Sequence, residues 1–300
     1  MVFFSIILPT YNRLYSLRQI LLPGLEKQTF ADYEIIVVDD GSIDGTEEYF
    51  SNREVEREFP KCGDRVVYTR NKTNIGAPAS RNRGASLAKG DWIYIVEDDV
   101  EIASKQYLAK AKEVISGVGD DVAVVSPKRE ERLSRGYFKN PAGNFARVGL
   151  LSGEIYIDPT QEYSGFVPNT HASSFVRREV YNQFLEDERM FFGNTFRDES
   201  DLYLRIRKAG WKLYYAGDIL KSVHRNDFAK QGGQKKVNKL SIFKQERMVI
   251  KNHYRYLRKN YGLVVAPVMT GFFTLGRMIK HSALILRVGA IKDLLAWIRF

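Results

Sequence analysis

The chain has 300 residues and an ordinary globular composition, which excludes disordered and collagen-like classes and allows a substantial core. A lone cysteine, Cys62, excludes a disulfide framework and favours a reducing compartment. The net charge of +10 is uneven: residues 221–300 carry 17 Lys and Arg against 3 Asp and Glu, leaving 29 against 33 in residues 1–220. The last part is therefore expected to meet an anionic surface.

Apolar runs of strand length recur through the first 125 residues. The first, in MVFFSIILPTYNR, is too short for a signal peptide and is expected to form a strand. The runs are continuous rather than alternating, as expected of strands buried on both faces. The five predicted strands cover residues 3–8, 34–38, 65–68, 92–96 and 122–125.

Helical patterns separate these strands. Residues 14–25 carry leucines at helical spacing, residues 46–59 are acid-led and amphipathic, and residues 77–90 are rich in small side chains and stop at Gly90. Alternation of strands and helices predicts an α/β fold with a mostly parallel, doubly wound central sheet flanked by helices.

The second half of the chain is less regular. Residues 126–168 suggest loops or short strands over the sheet, and two helices and a strand are predicted over 177–185, 197–210 and 211–217. After Gly232 and Gly233 the chain becomes basic and helical. This change predicts a catalytic body over residues 1–230 and a basic, amphipathic helical extension over 231–300.

Two acidic clusters follow predicted strands: Asp39-Asp40 and Glu97-Asp98-Asp99. Ligands of parallel α/β sheets lie outside the carboxyl ends of the strands, so both clusters are expected at one edge. A solvated turn is the alternative for Asp39-Asp40 alone, since DDGS favours turns. Together the clusters could hold sugar hydroxyls and a divalent cation, and hard carboxylate ligands suit Mg²⁺ or Mn²⁺.

Four stretches carry a resemblance to a known family. In order they are SIILPTYNR, EIIVVDDGSIDGT, NIGAPASRNRGASLAKGDWIYIVEDD and RDESDLYLRIRKAGWKL. They resemble the successive motifs of the family-2 glycosyltransferases, which have the GT-A fold, and the match covers about residues 3–224. Each motif alone is weak evidence, whereas four in sequence are specific.

The resemblance implies roles at the nucleotide-sugar donor. Pro9, Thr10 and Tyr11 would border the base, and Asp40, with Asp39 beside it, would hydrogen-bond the base or ribose. Arg81 would lie along the nucleotide; the alternative is an exposed helix face shared with Arg83.

The same resemblance implies a metal site. Asp98 would face the ribose and Asp99 would bind the Mg²⁺ or Mn²⁺ that bridges the diphosphate. Family members often have Asp at the position of Glu97, to which no direct role is assigned. His224 could lie near the diphosphate or metal, or be merely structural, and His171 could contact donor sugar or acceptor.

The catalytic base of the family falls in an acidic pair, here Asp198-Glu199, and the aligned base is Glu199. Helical spacing gives an independent indication, because Glu199 shares one face with Leu202, Tyr203 and Ile206. Asp198 and Asp201 are expected off that buried face, with Asp201 free to pair with Arg205. The alternative for each acid is a helix N-terminal residue that complements the helix dipole.

The C-terminal part suggests a membrane surface. Residues 260–276 are uncharged but interrupted by Pro267, which makes them marginal for a transmembrane helix. Residues 284–298 are amphipathic, as in an interfacial helix on an anionic membrane. The alternative is a helix packed on the catalytic body or on a second subunit, and no nucleic-acid partner is expected.

These observations predict an inverting, metal-dependent glycosyltransferase. It would move a sugar from a UDP- or GDP-linked donor to a glycan or lipid-linked acceptor, in the cytoplasm at the cytoplasmic face of a membrane. A dinucleotide-dependent oxidoreductase lacks its glycine motif here, and a nucleotidyltransferase lacks its glycine-rich phosphate loop. An inactive, membrane-tethered scaffold of the same fold is the remaining alternative.

Overall fold

One large sheet with helices on both faces forms the body of the chain. The computed structural model describes residues 2–133, 136–137, 146–153, 155–157, 160–191, 195–225 and 240–288. The strands are β1 Phe4–Thr10, β2 Tyr33–Asp39, β3 Val66–Arg70, β4 Trp92–Ile95, β5 Val100–Glu101, β6 Val122–Leu133, β7 Gly136–Tyr137, β8 Ala146–Val148, β9 Ile155–Ile157, β10 Ser164–Phe166, β11 Phe175–Arg177 and β12 Lys212–Arg225.

The strand order of the sheet is β10-β12-β6-β11-β4-β1-β2-β3. Strands β1 to β4 are parallel to one another, and β12 is parallel to β6. Strand β11 runs antiparallel between β4 and β6, and β10 runs antiparallel along β12. The mostly parallel sheet is confirmed, and each of the five predicted strands is present.

The helices predicted over 14–25, 46–59 and 77–90 are present, the second of them with a break, whereas the helix Tyr107–Gly117 was not predicted. They are α1 Leu14–Ser16, a π-helical segment Leu17–Leu21, α2 Leu22–Glu26, α3 Thr46–Ser51, α4 Glu54–Glu58, α5 Pro60–Gly63, α6 Ala77–Leu87, α7 Tyr107–Gly117, α8 Arg178–Phe184, α9 Asp198–Lys208, α10 Ile242–Tyr261 and α11 Val265–Val288. The single helix expected over 46–59 is interrupted, because Arg53 adopts a left-handed backbone with φ 56°.

Successive side chains of β1 enter two different core layers. Ile6 and Leu8 pack with the leucines of residues 14–25, whereas Ile7 packs with α6, α8 and α9 on the other face. Helix α6 lies directly against the sheet at Gly84, where an added Cβ would be 2.5 Å from Ile7 Cγ2. The two buried faces explain why the strands are apolar at consecutive positions.

Strand β12 is longer than the predicted 211–217. After an irregularity between Ala216 and Lys221 it continues to Arg225, pairing with β6 and, near its end, with β5. His224 was expected to follow the strand; it lies within it, opposite Val100. Its position is therefore set by strand register rather than by a loop.

The C-terminal extension packs on the catalytic body. Lys259 Nζ of α10 lies 2.7 Å from Asp201 Oδ2 of α9, and Tyr256 and Leu257 join a buried cluster with Ile155. Among the helices that the structure describes, none is long and apolar enough to cross a membrane. The boundary expected at Gly232-Gly233, and residues 289–298 of the expected interfacial helix, lie outside the described residues, so both stay predictions.

Candidate active site

The two acidic clusters meet at the carboxyl edge of the sheet, as predicted. Thr10 at the end of β1 pairs in register with Asp39 at the end of β2, and its carbonyl accepts the backbone N–H of Asp40 at 2.8 Å. The Thr10 hydroxyl donates to Asp98 Oδ2 at 3.0 Å, beyond the end of β4. One threonine thus connects both clusters.

Asp39 and Asp40 are buried and satisfied by the protein's own donors. Asp39 accepts from the backbone of Ser42, the hydroxyl of Tyr68 at 2.7 Å and the guanidinium of Arg70 at 3.1 Å. Asp40 accepts at 2.9 Å from the Asn71 amide and from two backbone N–H groups of the loop before α6. Neither is a solvated turn residue. Their contact with a nucleotide stays a prediction, as do those of Pro9 and Tyr11, which lie half-buried beside Thr10.

Arg13 bridges two acids of the second cluster. Its Nη1 atom donates to Asp98 Oδ1 at 2.7 Å and to Asp99 Oδ2 at 2.5 Å, with all three side chains largely buried. Burial, together with the adjacent Asp99 charge, raises the pKa of Asp98. Burial also opposes ionisation of Asp99, yet His224 and Arg13 hold the pKa of Asp99 below its usual range. The pair is thereby split, and Asp99 is the carboxylate held ionised.

Three side chains converge in a geometry that fits a divalent cation. One ligand atom each from Glu97, Asp99 and His224 lies within 4.8 Å of the others. His224 Nε2 is 3.3 Å from Asp99 Oδ1, a buried oxygen with no hydrogen-bond partner in the described part of the chain. Such an oxygen is a costly feature unless a further positive partner completes it. The two carboxylates suit Mn²⁺ or Mg²⁺, and the imidazole favours Mn²⁺, because Mg²⁺ prefers oxygen ligands.

The acidic pair at the start of α9 is held by a buried arginine. Arg81 Nη2 lies 2.6 Å from Asp198 Oδ2 and 2.5 Å from Glu186 Oε2, and Arg81 Nε donates to Glu186 Oε1 at 2.6 Å. Asp198 Oδ1 accepts the backbone N–H of Glu199 at 2.8 Å. Arg81 is therefore not on an exposed helix face. Its guanidinium is engaged with two carboxylates, and the nucleotide contact expected of it stays a prediction.

The pKa of Glu199 and that of its neighbour Asp198 shift in opposite directions. Desolvation of its carboxyl group and the adjacent Asp198 charge raise the pKa of Glu199 well above its usual range. Salt bridging to Arg81 and hydrogen bonding to Glu199 lower the pKa of Asp198, despite its burial. Two acids with opposite shifts are typical of a site in which one of them exchanges a proton.

The expected burial of the α9 acids was wrong for two of them. Asp198 and Asp201 were expected off the buried face, yet they are 4% and 0% exposed, whereas Glu199 is half-buried. The reason is tertiary: Arg81 covers Asp198, and α10 covers a second side of α9. The predicted pair between Asp201 and Arg205 is present at 2.9 Å.

Helix α6 links the two halves of the site. It starts beside Gly76, whose N–H donates to Asp40 at the sheet edge, and about one turn later it presents Arg81 to Asp198. The N-terminus of α9 is therefore tied to the edge that holds Asp98 and Asp99. His171 is buried, with Nε2 2.8 Å from the Pro127 carbonyl oxygen, and its contact with a substrate stays a prediction.

Two residues of this site were not predicted. Arg13 belongs to the PTYNR stretch after β1, so the rule that ligands lie at strand ends could have identified it. Glu186 offered no signal in the sequence, since its role depends on Arg81, 105 positions away. Glu97, to which no role was assigned, lies in the cation cluster.

Replacing Arg81 with Met should destabilise the protein by about 3–5 kcal/mol, because buried Glu186 and Asp198 would lose their shared counter-charge. Urea unfolding measures this loss. The matched control is Arg57→Met in α4, an exposed side chain that should cost about 1 kcal/mol or less. An Arg81→Met variant with unchanged stability and weakened nucleotide binding would instead favour the nucleotide contact.

The family-model comparison supports the resemblance. Residues 5–185, more than half of the chain, match the model described as Glycosyl transferase family 2. A GalNAc(5)-diNAcBac-PP-undecaprenol beta-1,3-glucosyltransferase of Campylobacter jejuni is 34% identical over 206 residues, which cover 65% of this chain and 60% of that enzyme. Glycosyltransferase GlyG of Streptococcus pneumoniae is 32% identical over 72% of this chain and 68% of its own length.

Solved structures share the fold. Residues 1–349 of S. aureus TarS cover 86% of this chain and 74% of that one, with a TM-score of 0.55 and 18% identity. The match to GalNAc-T7, solved with UDP, GalNAc and Mn²⁺, covers 75% of this chain and 43% of the GalNAc-T7 chain, with a TM-score of 0.60 and 18% identity. The chain spans less than two thirds of the length of several relatives that it matches. By its motifs, its family match and its sheet, the chain belongs to glycosyl transferase family 2 and has the GT-A fold.

Proposed function

We propose that the protein is an inverting, metal-dependent glycosyltransferase that uses a nucleotide-diphosphate sugar. The observation that carries the proposal is the pairing of a cation cluster, Glu97, Asp99 and His224, with a separate acid of raised pKa, Glu199. The first suits a diphosphate leaving group and the second suits a base for the incoming hydroxyl. Membership of the family supports the same reading.

The donor is proposed to be UDP- or GDP-linked. TarS has been solved in complex with UDP-GlcNAc, and GalNAc-T7 with UDP and Mn²⁺. In this chain the base and ribose would lie over the ends of β1 and β2, bordered by Pro9, Thr10 and Tyr11, with Asp98 at the ribose. Asp39 and Asp40 would shape that surface through the loops that they hold.

Glu97, Asp99 and His224 would hold Mg²⁺ or Mn²⁺. When bound, such an ion supplies positive charge to the departing diphosphate. Arg13 is a further cation at this edge, and its contacts with Asp98 and Asp99 keep the carboxylates oriented toward one another.

Glu199 acts as the base in this proposal. Its carboxylate accepts the proton of the acceptor hydroxyl while the acceptor oxygen bonds to the anomeric carbon. The bond from that carbon to the diphosphate oxygen breaks, and the configuration inverts because attack and departure are on opposite faces. Asp198, held by Arg81, orients the start of α9 through the Glu199 N–H.

The acceptor is proposed to be a glycan or a lipid-linked saccharide. The name of the Campylobacter relative states that it acts on an undecaprenol-diphosphate-linked substrate, and the basic extension of this chain suits an anionic membrane. Peripheral attachment at the cytoplasmic face of a membrane is part of the proposal.

A binding screen tests the donor and the metal together. The intact chain is titrated with UDP-, GDP- and dTDP-sugars, each with and without Mn²⁺ or Mg²⁺. We expect one nucleotide class to bind at least about tenfold more tightly with metal present. Equal donor affinity with and without metal, or no binding of any donor, would contradict the proposal.

A further inference from the structure

Helix α11 exposes a continuous apolar stripe. The stripe has five members, the first of which is the residue just before the helix. They follow one another at intervals of four, four, three and four positions, which places them on one side of the helix. They are Val264, Val268, Phe272, Leu275 and Ile279, with exposed fractions of 86, 61, 46, 53 and 66%. This set is called the α11 stripe below. The opposite side of the helix is buried at Ala266 and Phe273.

The α11 stripe contains no charge. Residues 260–276 are uncharged, and Arg277, the next basic residue, is directed to α10, where its Nη2 donates to Glu246 Oε1 at 2.6 Å. Exposed apolar surface of this extent needs a partner, since monomeric proteins seldom leave large contiguous apolar patches in water.

Helix α10 adds a row of exposed basic side chains. Lys244, Arg247, Lys251 and Arg258 recur at intervals of three, four and seven positions, and all four are exposed. Residues 247–292 contain nine Lys and Arg and no Asp or Glu. The two helices therefore carry an uncharged apolar stripe, on α11, and a one-signed basic row, on α10.

The two helices form one packed hairpin on the catalytic body. The Phe273 ring stacks on His253 of α10 at 3.9 Å between centroids and lies 6.3 Å from Phe196 of the body. Lys259 and Asn260 at the end of α10 hold Asp201 of α9. Because these contacts use the inner sides of both helices, the apolar stripe and the basic row remain on the outside.

We propose that this hairpin is the surface by which the protein binds an anionic lipid bilayer. The α11 stripe lies in the plane of the interface among the acyl chains, and the α10 row meets the lipid phosphates. The stripe spans about 22 Å along the helix, at 1.5 Å per residue. A second copy of the chain is a poorer partner, because residues 247–292 carry only basic charges and two such segments would repel each other.

The proposal deepens the proposed function, on which it rests for the lipid-linked acceptor. Lys259 and Asn260 contact the helix that begins with Asp198 and Glu199, so a bilayer bound at the hairpin would lie on the side of the molecule that carries α9 and α10. Attachment at the hairpin therefore places α9, the helix that carries Glu199, on the part of the fold near the bilayer.

Vesicle cosedimentation of the full chain tests the surface. We expect binding to phosphatidylcholine vesicles containing about a third phosphatidylglycerol at least about tenfold above binding to phosphatidylcholine alone, decreasing with salt. The double substitution Phe272→Glu and Leu275→Glu should reduce it about tenfold or more. Lys244→Glu with Lys251→Glu should abolish the preference for anionic vesicles.

The matched control is Leu87→Glu, an exposed leucine at the end of α6, which should leave vesicle binding unchanged. Thermal unfolding checks that each variant is folded. Equal binding by the Phe272/Leu275 variant would overturn the proposal, as would a concentration-dependent dimer, lost in that variant, that does not bind vesicles. Metal-dependent nucleotide binding, measured on the same samples, reports on the proposed function separately: its absence beside intact vesicle binding would reject the enzyme and retain the surface.

Discussion

Replacing Glu199 with Gln should lower the turnover of sugar transfer roughly a hundred- to ten-thousand-fold, the usual contribution of a general base. The amide keeps the size of the side chain and removes the only feature that the reaction needs from it, a proton acceptor. The affinity for the nucleotide-sugar should change little, because the donor is proposed to lie at the edge formed by β1, β2 and β4. Turnover is measured by release of the nucleoside diphosphate, and affinity by calorimetry.

A matched control is Glu179→Gln. Glu179 is also in the first turn of a helix, α8, and its side chain is exposed, so its charge complements the helix dipole without being near the site. Glu179→Gln should retain full turnover. Full turnover in Glu199→Gln would exclude Glu199 as the base, and loss of donor binding in that variant would show that Glu199 contacts the donor.

The pH dependence gives a second measurement of the same residue. Glu199 must be ionised to accept a proton, and its pKa is raised by desolvation and by Asp198. Turnover should therefore fall as the pH decreases through this raised pKa, at a higher pH than for a solvent-exposed glutamate. Asp198→Asn removes a negative neighbour of Glu199 and leaves the Arg81 charge less neutralised. Both changes lower the pKa of Glu199, so the loss of turnover on acidification should move to lower pH. If the pH at which turnover falls does not change in this variant, that fall belongs to the titration of another group.

Replacing Asp99 with Ala should weaken metal binding at least roughly a hundredfold, since even the residues that only support metal ligands typically contribute ten- to a hundredfold. Asp99 is the buried member of the cluster, with His224 3.3 Å away and its Oδ1 atom without a hydrogen bond to any described residue. Metal-dependent donor binding should be lost with it. Mn²⁺ binding followed by electron paramagnetic resonance measures the first effect directly, without activity.

The control for this substitution is Asp121→Ala, a half-exposed aspartate that pairs with Lys212 at 2.6 Å. It should retain Mn²⁺ binding. Thermal unfolding of Asp99→Ala must show a folded protein, because Arg13 loses one of its two carboxylates. Unchanged Mn²⁺ affinity in a folded Asp99→Ala variant would remove the cation site from the proposal.

The sequence alone predicted the strands and helices of the first half of the chain and the sheet edge at which the acidic clusters lie. Continuous apolar runs such as residues 34–38 indicate strands buried on both faces, and alternation with helices predicts a mostly parallel sheet. Acids that directly follow β2 and β4 must then meet at one edge. These inferences need only the neighbours of each residue along the chain, so they could be made without coordinates.

The tertiary structure decided which side chains meet. Arg81 binds Glu186 and Asp198 across 105 and 117 positions, and Asp201 is buried because Lys259 arrives 58 positions later. Periodicity reports which side of a helix is apolar, but it does not report what covers the other side. For that reason it wrongly expected Asp198 and Asp201 away from the buried face.

The cation cluster likewise depends partly on local sequence and partly on tertiary structure. The sequence placed Glu97, Asp98 and Asp99 after β4, and the family resemblance singled out Asp99 as the metal ligand. Glu97 joins the cluster because β12 runs on past its irregularity and brings His224 beside both acids. Strand pairing over this distance depends on the register of two strands more than a hundred residues apart. Local sequence determined the strands and their acidic ends; the register between strands, set by packing, determined which of those acids form the candidate site.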